Sequence, residues 1–378
     1  MKRPNSLRGC AARALMGACA VTLLFLAPAA FAAETQTPAA NGATLESLGL
    51  QPSGPPVRER PGWRAPKLIL VSPFLHDQIA ELREAAPAVK FVELTRADAR
   101  DIATADATIG VCSQDVLSKA TRLQWIQWLG AGVEGCVQQP LVRERHLLLT
   151  NLQRTAAPSM AEHVIALMLV LSRHLDYFFR EQQQGHWAED TPQLADLEGK
   201  TVLIVGLGGI GTEVASRAHA LGMHVIATRA SGHSGPDYVS YVGLPDELLK
   251  LTKEADFVVN CTPLTAQTSG IFNREFFAVM KPSAYFLNVG RGKSVVTADL
   301  IAALAADKIA GAGLDVVDPE PLPADSALWH APHIIITPHV SADTSVTAAQ
   351  RAALVRENLR RYSAGEPLLA VVDLGRGY

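Results

Sequence analysis

The sequence predicts an α/β fold with parallel sheets in both halves of the chain. Three observations carry that expectation. Short apolar, β-branched runs alternate with stretches of helical spacing from Leu68 to Thr337, and such alternation builds parallel sheets. The pattern occurs in both halves of the chain, on either side of an apolar stretch at Ser159–Phe178. The third observation is a glycine turn, Gly206-Leu207-Gly208-Gly209-Ile210-Gly211, set between a strand-like run and a helix-like one.

The elements follow in chain order. Lys2, Arg3, Arg8 and Arg13 form a basic start without acids, Ala14–Ala27 is apolar, and Ala30-Phe31-Ala32 is a small-residue cleavage pattern. Residues 1–32 therefore read as a secretory signal peptide, cut after Ala32, and the mature protein is expected in the periplasm or cell envelope. The apolar core is short of the roughly 20 residues that span a bilayer, so no stable membrane span is expected after cleavage. Ala33–Pro66, rich in Pro, Gly, Thr and Ala, reads as a linker or surface arm. Strand–helix units are expected at 67–86, 90–104, 107–120 and 123–140, with strands at Leu68–Val71, Phe91–Leu94, Ala107–Val111 and Leu123–Ile126, and a fifth strand at Leu147–Asn151. Ser159–Phe178 is expected to be one long helix, capped by Ser159 with Glu162 in capping-box position. The later strands are Thr201–Val205, Met223–Thr228, Phe257–Asn260, Ala284–Asn288, Gly313–Val316 and Ile334–Thr337, and Ser345–Ala364 is the last helix.

The glycine turn has a physical purpose. It follows Thr201–Val205 and precedes Val214, Ala218 and Leu221 on one helical face, and a second strand ends at Arg229. This is the phosphate-binding half of a dinucleotide fold. Gly206 permits the tight turn, Gly208 lets backbone approach a pyrophosphate, Gly211 lets helix and strand pack, and the helix N-terminus offers free N–H groups.

With 378 residues the chain suggests two domains; at 48% hydrophobic and 19% charged it is globular. Loss of the four N-terminal cations takes the formal net charge from −3 to −7, which argues against nucleic acid as a partner. Cys112, Cys136 and Cys261 form neither a disulfide framework nor a metal site. Cys112 and Cys136 can pair if their loops meet; buried free thiols are the expectation.

Ligands of open parallel sheets bind beyond the carboxyl ends of the strands. Three strands end on chemically active residues: Asn288-Val289-Gly290-Arg291, Asp315 to Glu320, and Thr337-Pro338-His339. An Arg can hold the carboxylate and polarise the carbonyl of a 2-oxo acid. A His can move the proton as a hydride moves, and a Glu behind it can fix its orientation.

The chain resembles the D-isomer-specific 2-hydroxyacid dehydrogenase family from about Leu68 to Pro367. The resemblance rests on Leu129-Gly130-Ala131-Gly132-Val133-Glu134, Ala161-Glu162-His163, the glycine turn, Thr262-Pro263-Leu264-Thr265 with Thr268, Asn288-x-x-Arg291-Gly292, Leu314-Asp315-Val316 with Glu320-Pro321, and Thr337-Pro338-His339. It implies two doubly wound parallel-sheet domains, a Rossmann cofactor domain (159–344) inserted in a flavodoxin-like substrate domain (67–158 plus 345–378), and a homodimer. It also implies site roles. Arg291, Glu320 and His339 are the catalytic residues; Ala131 and Gly132 bind the substrate carboxylate with Arg291. Gly206, Gly208, Gly209, Ile210 and Gly211 bind the pyrophosphate. Thr262, Pro263, Thr268, Val289, Asp315 and His339 line the cofactor cleft, with Asp315 accepting from the nicotinamide carboxamide. No metal is implied.

Where family members often carry an acid for the adenosine ribose, this chain has Thr228-Arg229. An arginine suits a 2′-phosphate, so NADP is expected to be preferred over NAD. This resembles the glyoxylate/hydroxypyruvate reductase branch. The expected activity is hydride transfer between NAD(P)H and a small 2-oxo or 2-hydroxy acid. Nicotinamide cofactors are scarce outside the cytoplasm, so a second reading stands beside it: an exported, non-catalytic protein binding a carboxylate or a dinucleotide.

Overall fold

In a computed structural model, residues 45–378 are described. The expected signal peptide and the first part of the expected linker lie outside those residues.

The first sheet has five parallel strands: β1 (Leu68–Val71), β2 (Lys90–Glu93), β3 (Ala107–Ile109), β4 (Trp125–Gln127) and β5 (Leu148–Thr150). Their spatial order is β2-β1-β3-β4-β5, the flavodoxin-like doubly wound order. The second sheet has seven: β6 (Thr201–Val205), β7 (His224–Thr228), β8 (Tyr241–Gly243), β9 (Phe257–Asn260), β10 (Tyr285–Asn288), β11 (Gly311–Leu314) and β12 (Ile334–Ile336). They run β12-β11-β10-β9-β6-β7-β8, with β6 at the crossover point of the dinucleotide fold. Burial on both faces explains the unbroken apolar runs: Val202, Leu203 and Ile204 of β6 are fully buried.

Register lines up the strand ends. Val205 pairs with Asn260, Asn260 with Asn288, Asn288 with Leu314, and Leu314 with Ile336. On the other flank Val205 pairs with Thr228. The residues that follow these strands therefore emerge along one edge. In the first sheet Ile109 pairs with Gln127 and Gln127 with Thr150, so their loops also leave together.

Five helices bear on the site: α1 (Glu134–Val137), α2 (Ala157–Ser172), α3 (Leu175–Gln183), α4 (Gly209–Ala220) and α5 (Ser345–Ala364). Val164, Leu167 and Met168 of α2 are buried with Val202, Ile204, Val214 and Ala218 against the second sheet. Leu354, Leu359 and Tyr362 of α5 are buried with Ile69, Ile109 and Trp125 against the first; the Tyr362 ring stacks on Trp125 at 4.6 Å.

Four expectations need correction. Ser159–Phe178 is two helices, because His174 adopts a left-handed conformation (φ 48°) and starts α3 in a new direction. Ser159 is not a cap: α2 begins earlier, at Ala157 with Pro158 in its first turn, and the Ser159 hydroxyl hydrogen-bonds those of Thr344 and Thr347. Residues 45–66 are not a free linker. Leu45, Leu50 and Val57 are buried in the core of the first sheet, and Pro52–Ser53 pairs antiparallel with Leu368–Leu369. Cys112 and Cys136 form a disulfide rather than free thiols. The parallel register of β3 and β4 carries their following loops to one place, with Cα atoms 5.6 Å apart. The short strand β8 was missed; it pairs with β7, its Val242 and Gly243 buried.

Candidate active site

The glycine turn is shaped by close approach. Gly206 has φ 97°, open to glycine without strain. A Cβ on Gly211 would overlap the Gly206 carbonyl oxygen. Gly208 instead faces open space, with no atom within 4 Å of where a Cβ would be, and Gly208 caps α4 with no side-chain hydrogen bond. A helix N-terminus with free donors and an open approach fits a dinucleotide pyrophosphate. Ile210 lies in the first turn of α4. Gly209 is crossed by Arg154, whose Cγ would be 2.9 Å from an added Cβ; nothing in the local sequence marks that residue, which reaches the turn through the chain reversal after β5.

The loop after β9 closes the other side of the turn. An added Cβ at Gly206 would be 3.1 Å from the backbone of Cys261 and from Thr262 Cγ2. Thr268 Oγ1 donates to the Pro263 carbonyl (2.6 Å) and accepts from Thr265 N–H (2.8 Å), making 263–268 a self-bonded turn. At the end of β7, Arg229 Nη1 donates to the Ser234 carbonyl (3.0 Å), and Arg229 forms no ion pair among the described residues.

Arg291 follows β10 and is held by a buried amide lattice. Asn260 Nδ2 donates to Asn288 Oδ1 and to Ser294 Oγ, each at 2.8 Å. Asn288 Nδ2 and Ser294 Oγ then donate to the Arg291 carbonyl. Val289 is buried beside it. Asn260, Asn288 and Ser294 are all fully buried, and leaving any of these donors unpaired would cost about 1–3 kcal/mol. Apolar runs ending on Asn were the available signal for this lattice.

The guanidinium is fixed from both sheets. Nη1 donates to the Gly290 carbonyl at 2.7 Å and Nε to Glu134 Oε1 at 3.0 Å. Nη2 has no hydrogen bond among the described residues and lies against Gly132, where an added Cβ would overlap it. The loop carrying Gly132 is tied down by Trp128 Nε1 donating to the Gly132 carbonyl (2.8 Å) and Asn151 Nδ2 donating to the Ala131 carbonyl (2.7 Å). The N–H groups of Ala131 and Gly132 have no acceptor among the described residues. Donors of Arg291, Ala131 and Gly132 without an acceptor among the described residues thus lie in one neighbourhood. The resemblance implied that Arg291 and Gly132 meet over a carboxylate, but not the Glu134 contact, whose partners are 157 positions apart.

Beyond β12, His339 has φ 56°, and its Nδ1 is 2.8 Å from Glu320 Oε2. A carboxylate accepts, so Nδ1 carries the shared proton and Nε2 is left for exchange. Glu320 Oε1 accepts from Val317 N–H at 3.1 Å, which orients the carboxylate. Asp315 is 1% exposed. Its Oδ1 accepts from Thr337 Oγ1 (2.6 Å) and Val340 N–H (3.0 Å), and its Oδ2 from Ser341 N–H (3.1 Å). Burial pushes its carboxyl pKa up, but the donors of Ser341, Thr337 and Val340 outweigh that and hold it below the ordinary carboxylate range. Asp315 thus holds the His339 loop, at the position where the resemblance implies an acceptor for the nicotinamide carboxamide. His163 Nε2 pairs with Thr337 Oγ1 at 3.0 Å and supports the same loop. No group of metal-ligating side chains occurs among the described residues, and none of their helices is long and apolar enough to cross a membrane.

Known proteins are similar to this chain. Residues 165–341 match the family described as D-isomer specific 2-hydroxyacid dehydrogenase, NAD binding domain. The chain is 34% identical over 262 residues to glyoxylate/hydroxypyruvate reductase A of Salmonella typhimurium, covering 68% of this chain and 82% of that one. It is 30% identical over 313 residues to D-3-phosphoglycerate dehydrogenase of Methanocaldococcus jannaschii, covering 82% of this chain but 59% of that longer protein. Among solved structures it is similar to an NADPH-dependent glyoxylate/hydroxypyruvate reductase from Sinorhizobium meliloti in complex with NADP and sulfate, with TM-score 0.71 and 28% identity, covering 82% of this chain and 100% of that one.

Proposed function

The chain belongs to the D-isomer specific 2-hydroxyacid dehydrogenase family, and from that premise we propose that it is an NAD(P)-dependent oxidoreductase acting on small 2-oxo acids of the glyoxylate or hydroxypyruvate type. One observation carries the substrate class: Arg291 Nη2 lies against Gly132, and it and the N–H groups of Ala131 and Gly132 have no acceptor among the described residues. Such a set fits a planar carboxylate next to a carbonyl oxygen.

Gly206, Gly208, Gly209, Ile210 and Gly211 would hold the pyrophosphate of a nicotinamide cofactor, Thr262, Pro263, Thr268 and Val289 would edge its cleft, and the cofactor would supply hydride chemistry there. Arg291 holds the substrate carboxylate and draws charge onto the carbonyl oxygen. His339 Nε2 gives that oxygen its proton, and Glu320 keeps the ring turned through Nδ1. A protein that merely binds carboxylates has no use for the His339–Glu320 pair. The test is reduction of glyoxylate, hydroxypyruvate and pyruvate by the purified protein, followed by loss of NADPH or NADH absorbance; no turnover with any of them sinks the reading.

Arg229 supports NADP as the preferred cofactor. A 2′-phosphate brings about two negative charges, and a guanidinium can meet them with paired hydrogen bonds. Charge-assisted bonds of about 1.5–3 kcal/mol give a preference of about 10–150-fold. In Arg229→Asp, NADPH use should fall by that factor while NADH use is kept or gained. A ratio left unchanged removes Arg229 from the site.

The exported location rests on residues 1–32 and is supported by the Cys112–Cys136 disulfide, since disulfides persist in oxidising compartments. N-terminal sequencing of native protein should begin at Ala33. The homodimer is supported by apolar side chains exposed around α3, with Phe179 57% and Trp187 92% exposed; a second copy covering them would bury that surface. Light scattering should give twice the chain mass.

A further inference from the structure

The disulfide lies at one end of a short path to Arg291. Cys112 is in the loop after β3, and Cys136 is in α1, which directly follows the Gly130–Val133 loop. α1 is four residues long and has no side-chain cap at Val133. One uncapped turn cannot sustain itself, so its position must come from tertiary anchors. Val133, Cys136 and Val137 provide apolar burial, and the bond to Cys112 provides a covalent anchor. Glu134, two residues before Cys136, is the residue that holds Arg291 Nε.

We propose that the Cys112–Cys136 disulfide is a positioning element of the substrate site: it anchors α1 so that Glu134 and Gly132 hold Arg291 in place for a 2-oxo acid. The inference rests on the substrate reading given above. The oxidised protein has the loop set for binding. A dithiol reductant breaks the S–S bond, passing two electrons and two protons to give two cysteine thiols while the dithiol itself becomes a disulfide; a small-molecule disulfide reverses the exchange. Cys261 stays out of it, because desolvation pushes its thiol pKa up to about 12 and thiolate is the reactive form.

The experiment compares native protein before and after dithiothreitol, with thiol titration showing two new thiols. Reduction should raise KM for glyoxylate roughly 10-fold or more, since a displacement near 1 Å is enough for such losses, and should leave the NADPH dissociation constant unchanged. Amide exchange over 129–137 should quicken, and reoxidation should restore both. The Cys112→Ser, Cys136→Ser double variant should match reduced protein and ignore the reductant. Unchanged KM and unchanged exchange, with both thiols counted, overturn the proposal. Loss of the thermal transition on reduction also overturns it, because the bond would then staple the whole fold. Absence of 2-oxo acid reduction by oxidised protein would refute the functional reading instead, and amide exchange would still judge the tether.

Discussion

Arg291 and His339 leave the same edge of the same sheet, with β11 between their strands, yet they are held in opposite ways. Arg291 is fixed at both ends. Its carbonyl is clamped by Asn288 and Ser294, and its guanidinium is gripped by Gly290 and by Glu134 from the other sheet. His339 is anchored through its backbone, which donates to the Asp315 carbonyl, while its side chain is 48% exposed and has one partner among the described residues, Glu320. The difference follows from the chemistry each performs. A charge that orients a substrate gains from rigidity, because reorganisation at the moment of reaction is avoided. A proton donor must be reloaded, so it needs contact with water or a proton carrier.

The sharpest way to break this comparison is at the exposed residue. His339→Ala removes the proton donor and should lower kcat by roughly 10²–10⁴-fold. Cofactor affinity, measured by fluorescence titration, should stay near that of the wild type, because the glycine turn belongs to another strand end. Unchanged kcat would mean that His339 moves no proton in the reaction.

Arg291→Lys tests the rigid end. The ammonium keeps the charge but lacks the planar fork that serves Glu134, Gly290 and the substrate at once. kcat/KM for the 2-oxo acid should fall about 10–150-fold, the worth of a charged hydrogen bond. The loss should appear mainly in KM if Arg291 acts in binding, and in kcat if it also polarises the carbonyl. A variant with wild-type kinetics would show that charge alone suffices and that the double clamp serves stability.

Much of this frame could be read from residues alone, and the exceptions have physical reasons. The strands β6, β9 and β10 end where their apolar runs end, and α5 spans the expected Ser345–Ala364, because buried strands and capped helices leave periodic traces. Arg291, Glu320 and His339 were found because strand ends of a parallel sheet are where ligands bind. What failed depended on register or on distant partners. The Cys112–Cys136 bond requires β3 beside β4 in a particular alignment, which no local pattern encodes. Glu134 stands in the sequence only as the end of the Leu129–Glu134 motif, until the fold places Arg291 against it. The break at His174 is one left-handed residue inside an apolar helical period, and the period was followed through it. The anchoring of residues 45–66, through buried Leu45, Leu50 and Val57 and pairing with the far C-terminus, occurs in a segment whose composition resembles a linker.

Asp315 offers the finest test, because it links the two kinds of anchoring: it is buried like the Arg291 lattice but serves the His339 loop. Its oxygens accept from Thr337, Val340 and Ser341. In Asp315→Asn, one of the two oxygens becomes a donor facing donors, and the variant should lose about 1–3 kcal/mol of stability at neutral pH. The carboxyl pKa is lowered in the folded protein relative to its ordinary value. The native state therefore binds that proton less readily than the unfolded chain does, so ionised Asp315 contributes its full stabilisation above the ordinary carboxylate pKa. That contribution fades as pH falls through the lowered value. Melting temperatures of wild type and variant should differ most at neutral pH and converge below about pH 4. Other carboxylates titrate over the same range in both proteins, so the difference between the two curves isolates this one. A gap that stays constant down to pH 3 would mean that Asp315 gains nothing from being ionised, and that the His339 loop is held by its backbone bonds instead.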